Sequence, residues 1–148
     1  DYLTPLHSYI YNHVYIGSAQ DVIKTIKTSY DLVLLIDVLE HLSEAKGKAL
    51  IEYILRHHRG ILISTPKDIG HQDDAFGNEH EQHVSQWTLR SLRAFGPSIS
   101  LRDRESHIIY IGTQASVMTY QARQRWERIK YWGRNVPLAR RIYRMVKG

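Results

Sequence analysis

A short apolar run that ends abruptly on charge is the feature that most constrains this chain. Residues 32–36 are all aliphatic, and such a run is typical of a β-strand buried on both faces, as in a parallel sheet covered by helices. Asp37, Glu40 and His41 follow it directly. Because ligands of open α/β folds bind at the carboxyl ends of the strands, we expect these polar residues to lie at a ligand-binding edge of the sheet.

The residues after this run predict a βαβ unit. Ser43 is a natural N-cap, and apolar residues at helical spacing continue until the helix ends near Gly60. Residues 61–65 then form a second apolar strand, which Pro66 stops. A compact helical crossover joins strands that run in the same direction. The two strands should therefore be parallel.

The downstream sequence predicts one more helix and two more strands. The helix starts near Trp87, with Ser85 as its cap. Residues 99–101 and 107–111 are strand-like and are joined by a charged turn, which favours an antiparallel edge strand. The polar segment 67–82 between them and the βαβ unit is long for a connection inside a compact domain, so we expect a functional lid or a disordered loop.

Three short elements are predicted before the central run. Thr4 and Pro5 favour the start of a helix over residues 3–11. Residues 14–16 are a strand candidate that ends at Gly17, and residues 21–28 have the apolar spacing of a short amphipathic helix.

The composition narrows the class of protein. The 148 residues suit one main domain, and the fractions of hydrophobic and charged residues are those of a soluble globular protein. No apolar stretch approaches the ~20 residues of a membrane span, and no basic and then apolar leader opens the chain. The absence of cysteine excludes disulfides and thiolate chemistry. We therefore expect a cytoplasmic protein.

Positive charge is concentrated at the C-terminal end. Residues 120–148 contain nine Lys and Arg side chains against Glu127 alone, a net charge of +8 in a chain whose total is +5. Five aromatic side chains are interleaved with them. This pattern predicts either contact with an anionic partner, nucleic acid or a membrane surface, or a solvated helix whose aromatic side packs on the domain.

Two motifs resemble the class I S-adenosylmethionine-dependent methyltransferases that act mostly on small molecules. The first is D-L-V-L-x-x-D-V-L-E-H-L over residues 31–42, and the second is G-N, H-x-S-x-W-T and F-G in that order between residues 77 and 96. The resemblance implies an α/β, Rossmann-like methyltransferase sheet with helices on both faces and an antiparallel edge strand near the C-terminus. It also implies transfer of a methyl group from S-adenosylmethionine to a small-molecule or modified-macromolecule acceptor.

The resemblance further implies a cofactor site. The backbone around residues 36–38 would line the methionine side, and the loop of residues 17–20 would lie against the adenine ring. Ser18 replaces the family's usual acid, so Ser18 or Gln20 accepts the adenine amino hydrogen bond or the contact is weaker. A plain turn capped by Ser18 is an equal alternative. The predicted cofactor residues are Gly17, Ser18, Ala19, Gln20, Ile36, Asp37 and Val38.

His41 is the predicted general base, because a histidine side chain can accept a proton from a hydroxyl group near neutral pH. The alternative is that Glu40 and His41 only cap the following helix and hold the loop. His83 and Trp87 are predicted to form walls of the acceptor pocket, with an equal chance that Trp87 is a core residue.

No metal site is predicted. Histidines and acids cluster between residues 71 and 83, but the spacing of His80 and His83 lacks the i, i+4 geometry of a helical zinc pair. A flexible acidic lid has the same composition.

The glycine-rich loop expected from the resemblance is missing. The family's glycine-rich loop after the first strand has no counterpart, because no G-x-G occurs in the chain. Residues 1–114 are therefore interpreted as a methyltransferase-like domain that lacks its N-terminal strands, and residues 115–148 as a basic helical extension. The alternative is a binding module without turnover, in which the basic extension contacts the anionic partner.

Overall fold

The computed structural model describes residues 4–68 and 82–135. They form an α/β structure with a four-stranded mixed sheet, as predicted at the level of fold class. In chain order the elements are α1 (Pro5–Ile10), α2 (Ala19–Thr25), β1 (Val33–Ile36), a 3-10 turn (Leu39–His41), α3 (Glu44–His57), β2 (Gly60–Pro66), α4 (Leu89–Arg93), β3 (Ser98–Leu101), β4 (Ser106–Gly112) and α5 (Ala115–Asn135).

The predicted βαβ unit is confirmed. Strands β1 and β2 are parallel, with Val33 opposite Ile61 and Ile36 opposite Ser64, and α3 connects them. Both strands therefore end at the same edge of the sheet, and the polar residues that follow β1 stand beside the last residues of β2.

The predicted hairpin lies at one end of the sheet, with β3 as an edge strand that is antiparallel to β4, but the strand that runs opposite to β1 and β2 is β4, which is not at the edge. The strand order is β1-β2-β4-β3, so antiparallel β4 lies between β2 and β3. The reason is burial: Ile109 and Ile111 of β4 are fully buried and need neighbours on both sides. The shorter β3, with only partly buried residues and the exposed Leu101, is suited to the edge.

Two further predictions about strands are wrong. Residues 14–16 form no strand, and Ile16 is 82% exposed, because no described strand lies beside them to accept their hydrogen bonds. Strand β1 is buried on one face only: Leu35 is in the core, whereas Leu34 and Ile36 are 56% and 49% exposed. Within the described residues β1 is an outer strand with one unpaired edge.

The core lies between α3 and the sheet. Ile51 and Ile54 of α3 meet Ile61 and Ile63 of β2, and the buried residues of β4 extend this cluster. Helix α4 adds Leu92 to the same cluster. Its cap is Thr88, whose side chain accepts from the backbone N–H of Ser91, and not Ser85 as predicted.

Helix α3 ends at His57, slightly before the predicted end, and the next residue, His58, is buried. The backbone N–H of Tyr30 donates to His58 Nδ1 at 3.1 Å, which connects the segments that precede β1 and β2. Burial, and secondarily the charge of His57, lowers the pKa of His58, so the neutral ring that this hydrogen bond requires is favoured.

None of the helices within residues 4–68 and 82–135 has both the length and the apolar character needed to cross a membrane. Helix α5 has 21 residues, but charged side chains occur along it.

Candidate functional site

Asp37, which directly follows β1, has an unusual backbone conformation. Its φ is +51°, the left-handed region that residues other than glycine rarely adopt and that Asp tolerates better than most. Its N–H donates to the carbonyl oxygen of Ser64 at 3.0 Å, and the Ser64 hydroxyl lies 3.4 Å from Asp37 Oδ1. Strained residues of this kind cluster at functional sites. The sharp turn sends the chain directly into the 3-10 turn.

Glu40 is buried at the junction of β1 and β2. Only 1% of its surface is exposed, and the Thr65 hydroxyl donates to its Oε2 at 3.1 Å. Its Oε1 is also buried and has no hydrogen-bond partner among the described residues. The predicted alternative that Glu40 caps the next helix is not supported, since Ser43 occupies the N-cap position of α3 and the Glu40 carboxylate points to β2.

The segment of residues 82–88 docks on this 3-10 turn. The backbone N–H groups of Val84 and Ser85 donate to the Glu40 carbonyl oxygen at 2.7 and 3.2 Å. The Ser85 hydroxyl and the Trp87 indole N–H both donate to the carbonyl oxygen of Leu39, at 3.1 and 3.2 Å. The first motif and the H-x-S-x-W-T part of the second therefore form one hydrogen-bonded unit at the carboxyl ends of β1 and β2.

This docking brings two histidines together. The ring centroids of His41 and His83 are 5.0 Å apart. The Nδ1 of His41 lies 3.2 Å from the carbonyl oxygen of Gln82, which can only accept, so Nδ1 is the donor and, in the neutral ring, Nε2 holds the free lone pair. One ligand atom each from Glu40, His41 and His83 lies within 4.8 Å of the other two.

Local sequence patterns do not predict this three-residue cluster. Metal-ligand motifs are recognised by short spacings in the chain, whereas His41 and Gln82 are 41 residues apart. The only sequence signal was the joint presence of the two motifs. The other histidines and acids of the candidate metal ligands lie outside the described residues: His71, Asp73, Asp74, Glu79, His80 and Glu81.

Trp87 lies in the core, which is the second of the two interpretations left open by the sequence. It is 1% exposed, and its ring packs against Gly47 of α3 so closely that a Cβ atom there would lie 2.4 Å from Trp87 Cζ2. Its indole N–H is satisfied by Leu39 and by the Ser85 hydroxyl. The burial favours a role in positioning the segment that carries His83, itself only partly buried, over contact with an acceptor.

The predicted adenine loop lies at the start of α2. Ser18 is the N-cap residue, but its side chain makes no capping hydrogen bond. Among the described residues no hydrogen bond joins the loop of residues 17–20 to residues 36–38. Gln20 lines a cavity of about 320 Å³ between α2 and α3, whose other lining residues include Ile23, Ala49 and Tyr53. This cavity is formed by helices and not by the strand ends.

His107 is a further polar residue of this region, and no local sequence pattern marks it as part of a site. It lies on β4 opposite Thr65, and its Nδ1 is buried without a described partner. Burial, and secondarily the charge of Lys67, lowers the pKa of His107. Its ring is therefore neutral at neutral pH.

Helix α5 presents the described part of the basic extension. Residues 121–129 are all exposed, including Trp126 at 55% and Ile129. The helix carries five Lys and Arg residues against Glu127. Trp126 and Tyr131 are exposed, and the other aromatic residues of the extension lie outside the described side chains.

No protein-family model matches the chain, and no curated protein gives a significant match.

Proposed function

We propose that this chain is part of an S-adenosylmethionine-dependent methyltransferase. The observation that carries the proposal is the docking of residues 82–88 on the 3-10 turn, which joins the first resembling motif to the H-x-S-x-W-T part of the second at the carboxyl ends of two parallel strands. Ligands of open α/β sheets bind at this edge. Asp37, His41 and His83 are the polar residues that stand there.

The open side of β1 supports a larger, Rossmann-like sheet. In a doubly wound sheet the strand before the crossover continues into further parallel strands on its other side. Strand β1 has an unpaired edge within the described residues, and Leu34 and Ile36 expose apolar surface beside it. Pairing with another parallel strand would satisfy the backbone groups of this edge and bury that surface.

Methyl transfer from S-adenosylmethionine needs little covalent catalysis by the protein. The cofactor carries the reactive methyl group, so the protein mainly holds two substrates in line. We assign the backbone of residues 36–38 to the methionine side of S-adenosylmethionine and the loop of residues 17–20 to the adenine. His41 and His83 face the acceptor. The left-handed backbone conformation of Asp37 at the end of β1 supports the first assignment, because strained residues of this kind cluster at ligand-binding sites.

Calorimetry with S-adenosylmethionine tests the proposal. We compare the 148 residues with a chain that is extended on the N-terminal side by a strand, a glycine-rich turn and a second strand. We expect the 148 residues to bind S-adenosylmethionine at least about a hundredfold more weakly than this extended chain. The glycine turn and the ribose-binding acid are each worth about 1–3 kcal/mol, and ~1.4 kcal/mol is a factor of ten. ATP, which shares the adenosine, is the control ligand.

Two results would count against this assignment. Micromolar binding of S-adenosylmethionine by the 148 residues would show that the glycine turn and the ribose-binding acid are not needed. Failure of the extended chain both to bind S-adenosylmethionine and to transfer a methyl group would contradict the proposed function itself.

A second candidate function follows from the surface of α5. We infer that this helix contacts nucleic acid or an anionic membrane surface. In this case the chain is a methyltransferase-like binding module that does not need to catalyse methyl transfer. The support is the exposure of Arg123, Arg125 and Arg128 together with Trp126 and Ile129 on one helix. Exposed cations release counterions when they meet phosphates, and exposed aromatic rings offer stacking or insertion.

A salt titration with duplex DNA, followed by fluorescence anisotropy, tests the nucleic acid version. If the five cations of α5 meet phosphates, log affinity should fall with log salt with a slope of about −4 to −5. Changing Arg123, Arg125 and Arg128 to Gln should reduce the magnitude of this slope by about 3, whereas Lys24→Gln on α2 should leave the slope unchanged. Absence of binding at low salt to DNA and to anionic vesicles would exclude the anionic partner.

A further inference from the structure

We propose that Glu40, His41 and His83 bind a divalent transition-metal ion. The three residues come from the 3-10 turn and from the segment docked on it, and one ligand atom of each lies within 4.8 Å of the other two. The proposal goes beyond methyl transfer and does not depend on it, because the 148 residues contain all three ligands.

The buried carboxylate of Glu40 is the first argument. A carboxylate removed from water requires a compensating positive charge or several hydrogen bonds. Glu40 is 1% exposed, yet it receives one hydrogen bond, from Thr65 to Oε2, and Oε1 has none among the described residues. No described Lys or Arg forms an ion pair with it. A metal ion bound to Oε1 would supply the missing positive charge.

The orientation of His41 is the second argument. Histidines that ligate metals usually donate their other ring N–H to a carboxylate or a backbone carbonyl, which fixes the tautomer and the direction of the lone pair. His41 Nδ1 makes this bond to the Gln82 carbonyl oxygen at 3.2 Å. Its Nε2 is thereby left as the coordinating atom. Thr65 orients the Glu40 carboxylate in the same manner through Oε2.

The backbone fixes the relative position of the ligands. The N–H groups of Val84 and Ser85 bind the Glu40 carbonyl oxygen, so His83 is held one residue away from this contact. Metal bonds of about 2.0–2.2 Å would hold tetrahedral ligand atoms about 3.4 Å apart. Side-chain rotation therefore has to shorten the present separations, all within 4.8 Å, by at most about 1.4 Å.

The donor set selects the kind of ion. Two imidazoles and one carboxylate suit Zn²⁺, Fe²⁺ or Co²⁺, whereas Mg²⁺ and Ca²⁺ prefer oxygen ligands alone. Three protein ligands leave at least one coordination position open, which is the arrangement of catalytic and not of purely structural zinc sites. An ion there would act as a Lewis acid at the ligand-binding edge of the sheet.

Titration of the 148-residue protein with Zn²⁺ and with Co²⁺ as the spectroscopic probe tests the site, in the absence of S-adenosylmethionine. We expect one ion per chain, a visible Co²⁺ absorption spectrum of nitrogen and oxygen ligation, and no response to Mg²⁺. Glu40→Gln and His83→Gln should each weaken Zn²⁺ binding by about a hundredfold or more, and Thr65→Val by about 10–100-fold. His57→Gln, an exposed histidine of α3, is the matched control and should bind as the unchanged protein does.

The proposal is overturned if no ion binds with 1:1 stoichiometry, or if Glu40→Gln and His83→Gln bind Zn²⁺ as tightly as the unchanged protein. Far-UV circular dichroism of each variant shows whether it has folded. Since His83 is only partly buried, His83→Gln should keep the fold even if a change at the buried Glu40 does not. The titration needs no methyl donor, so its failure and that of the proposed methyltransferase activity are distinguishable.

Discussion

Replacement of Trp87 by alanine is expected to lower the free energy of unfolding by about 3–5 kcal/mol, as measured by urea denaturation. The side chain is fully buried among α3, the 3-10 turn and the segment of residues 82–88. Its removal leaves a large cavity beside Gly47 and leaves the carbonyl oxygen of Leu39 with one donor fewer. Because the free energy of unfolding of a native domain is only about 5–15 kcal/mol, this single substitution should remove a large part of the stability.

Two other variants give this experiment its controls. Trp126→Ala removes the same side chain from an exposed position on α5 and should change the stability by no more than about 0.5 kcal/mol. Trp87→Phe keeps most of the ring but loses the indole N–H, so an intermediate loss is expected. Equal effects of Trp87→Ala and Trp126→Ala would show that Trp87 is not the residue that holds the docked segment.

Replacement of His41 by glutamine is expected to reduce the rate of methyl transfer by about 10²–10⁴-fold in the N-terminally extended chain, the range typical of losing a general base. The affinity for S-adenosylmethionine should change little, because that ligand is assigned to the backbone of residues 36–38 and to the loop of residues 17–20. Single-turnover kinetics and calorimetry measure the two quantities separately. An unchanged rate would show that His41 does not act on the acceptor.

The same experiment distinguishes a general base from a metal ligand. Nε2 of His41 cannot accept a proton while it coordinates an ion. If the bound ion takes part in methyl transfer, His83→Gln and Glu40→Gln should reduce the rate as His41→Gln does, and a chelator should reproduce the effect. A loss confined to His41→Gln, with no effect of the chelator, would identify His41 as a base that works without a metal.

The sequence alone determined the parts of the fold that follow local rules. The apolar run at residues 32–36, the helical spacing after Ser43 and the second apolar run at residues 61–65 were sufficient to predict a parallel βαβ unit with polar groups at one end. They were sufficient because strand and helix periodicity is a property of neighbouring residues, and because a helical crossover of this length leaves only the parallel arrangement.

Only the tertiary structure decided which residues meet. The position of β4 inside the sheet and the absence of a strand at residues 14–16 depend on pairing partners far away in sequence. The burial of Glu40 and the contact of His41 with His83 likewise require residues 82–88 to fold back on the 3-10 turn, through hydrogen bonds between groups more than forty residues apart. No local pattern encodes such contacts, since they follow from the packing of the whole core around Trp87. The histidines and the carboxylate were visible in the sequence, whereas their assembly into one site was not.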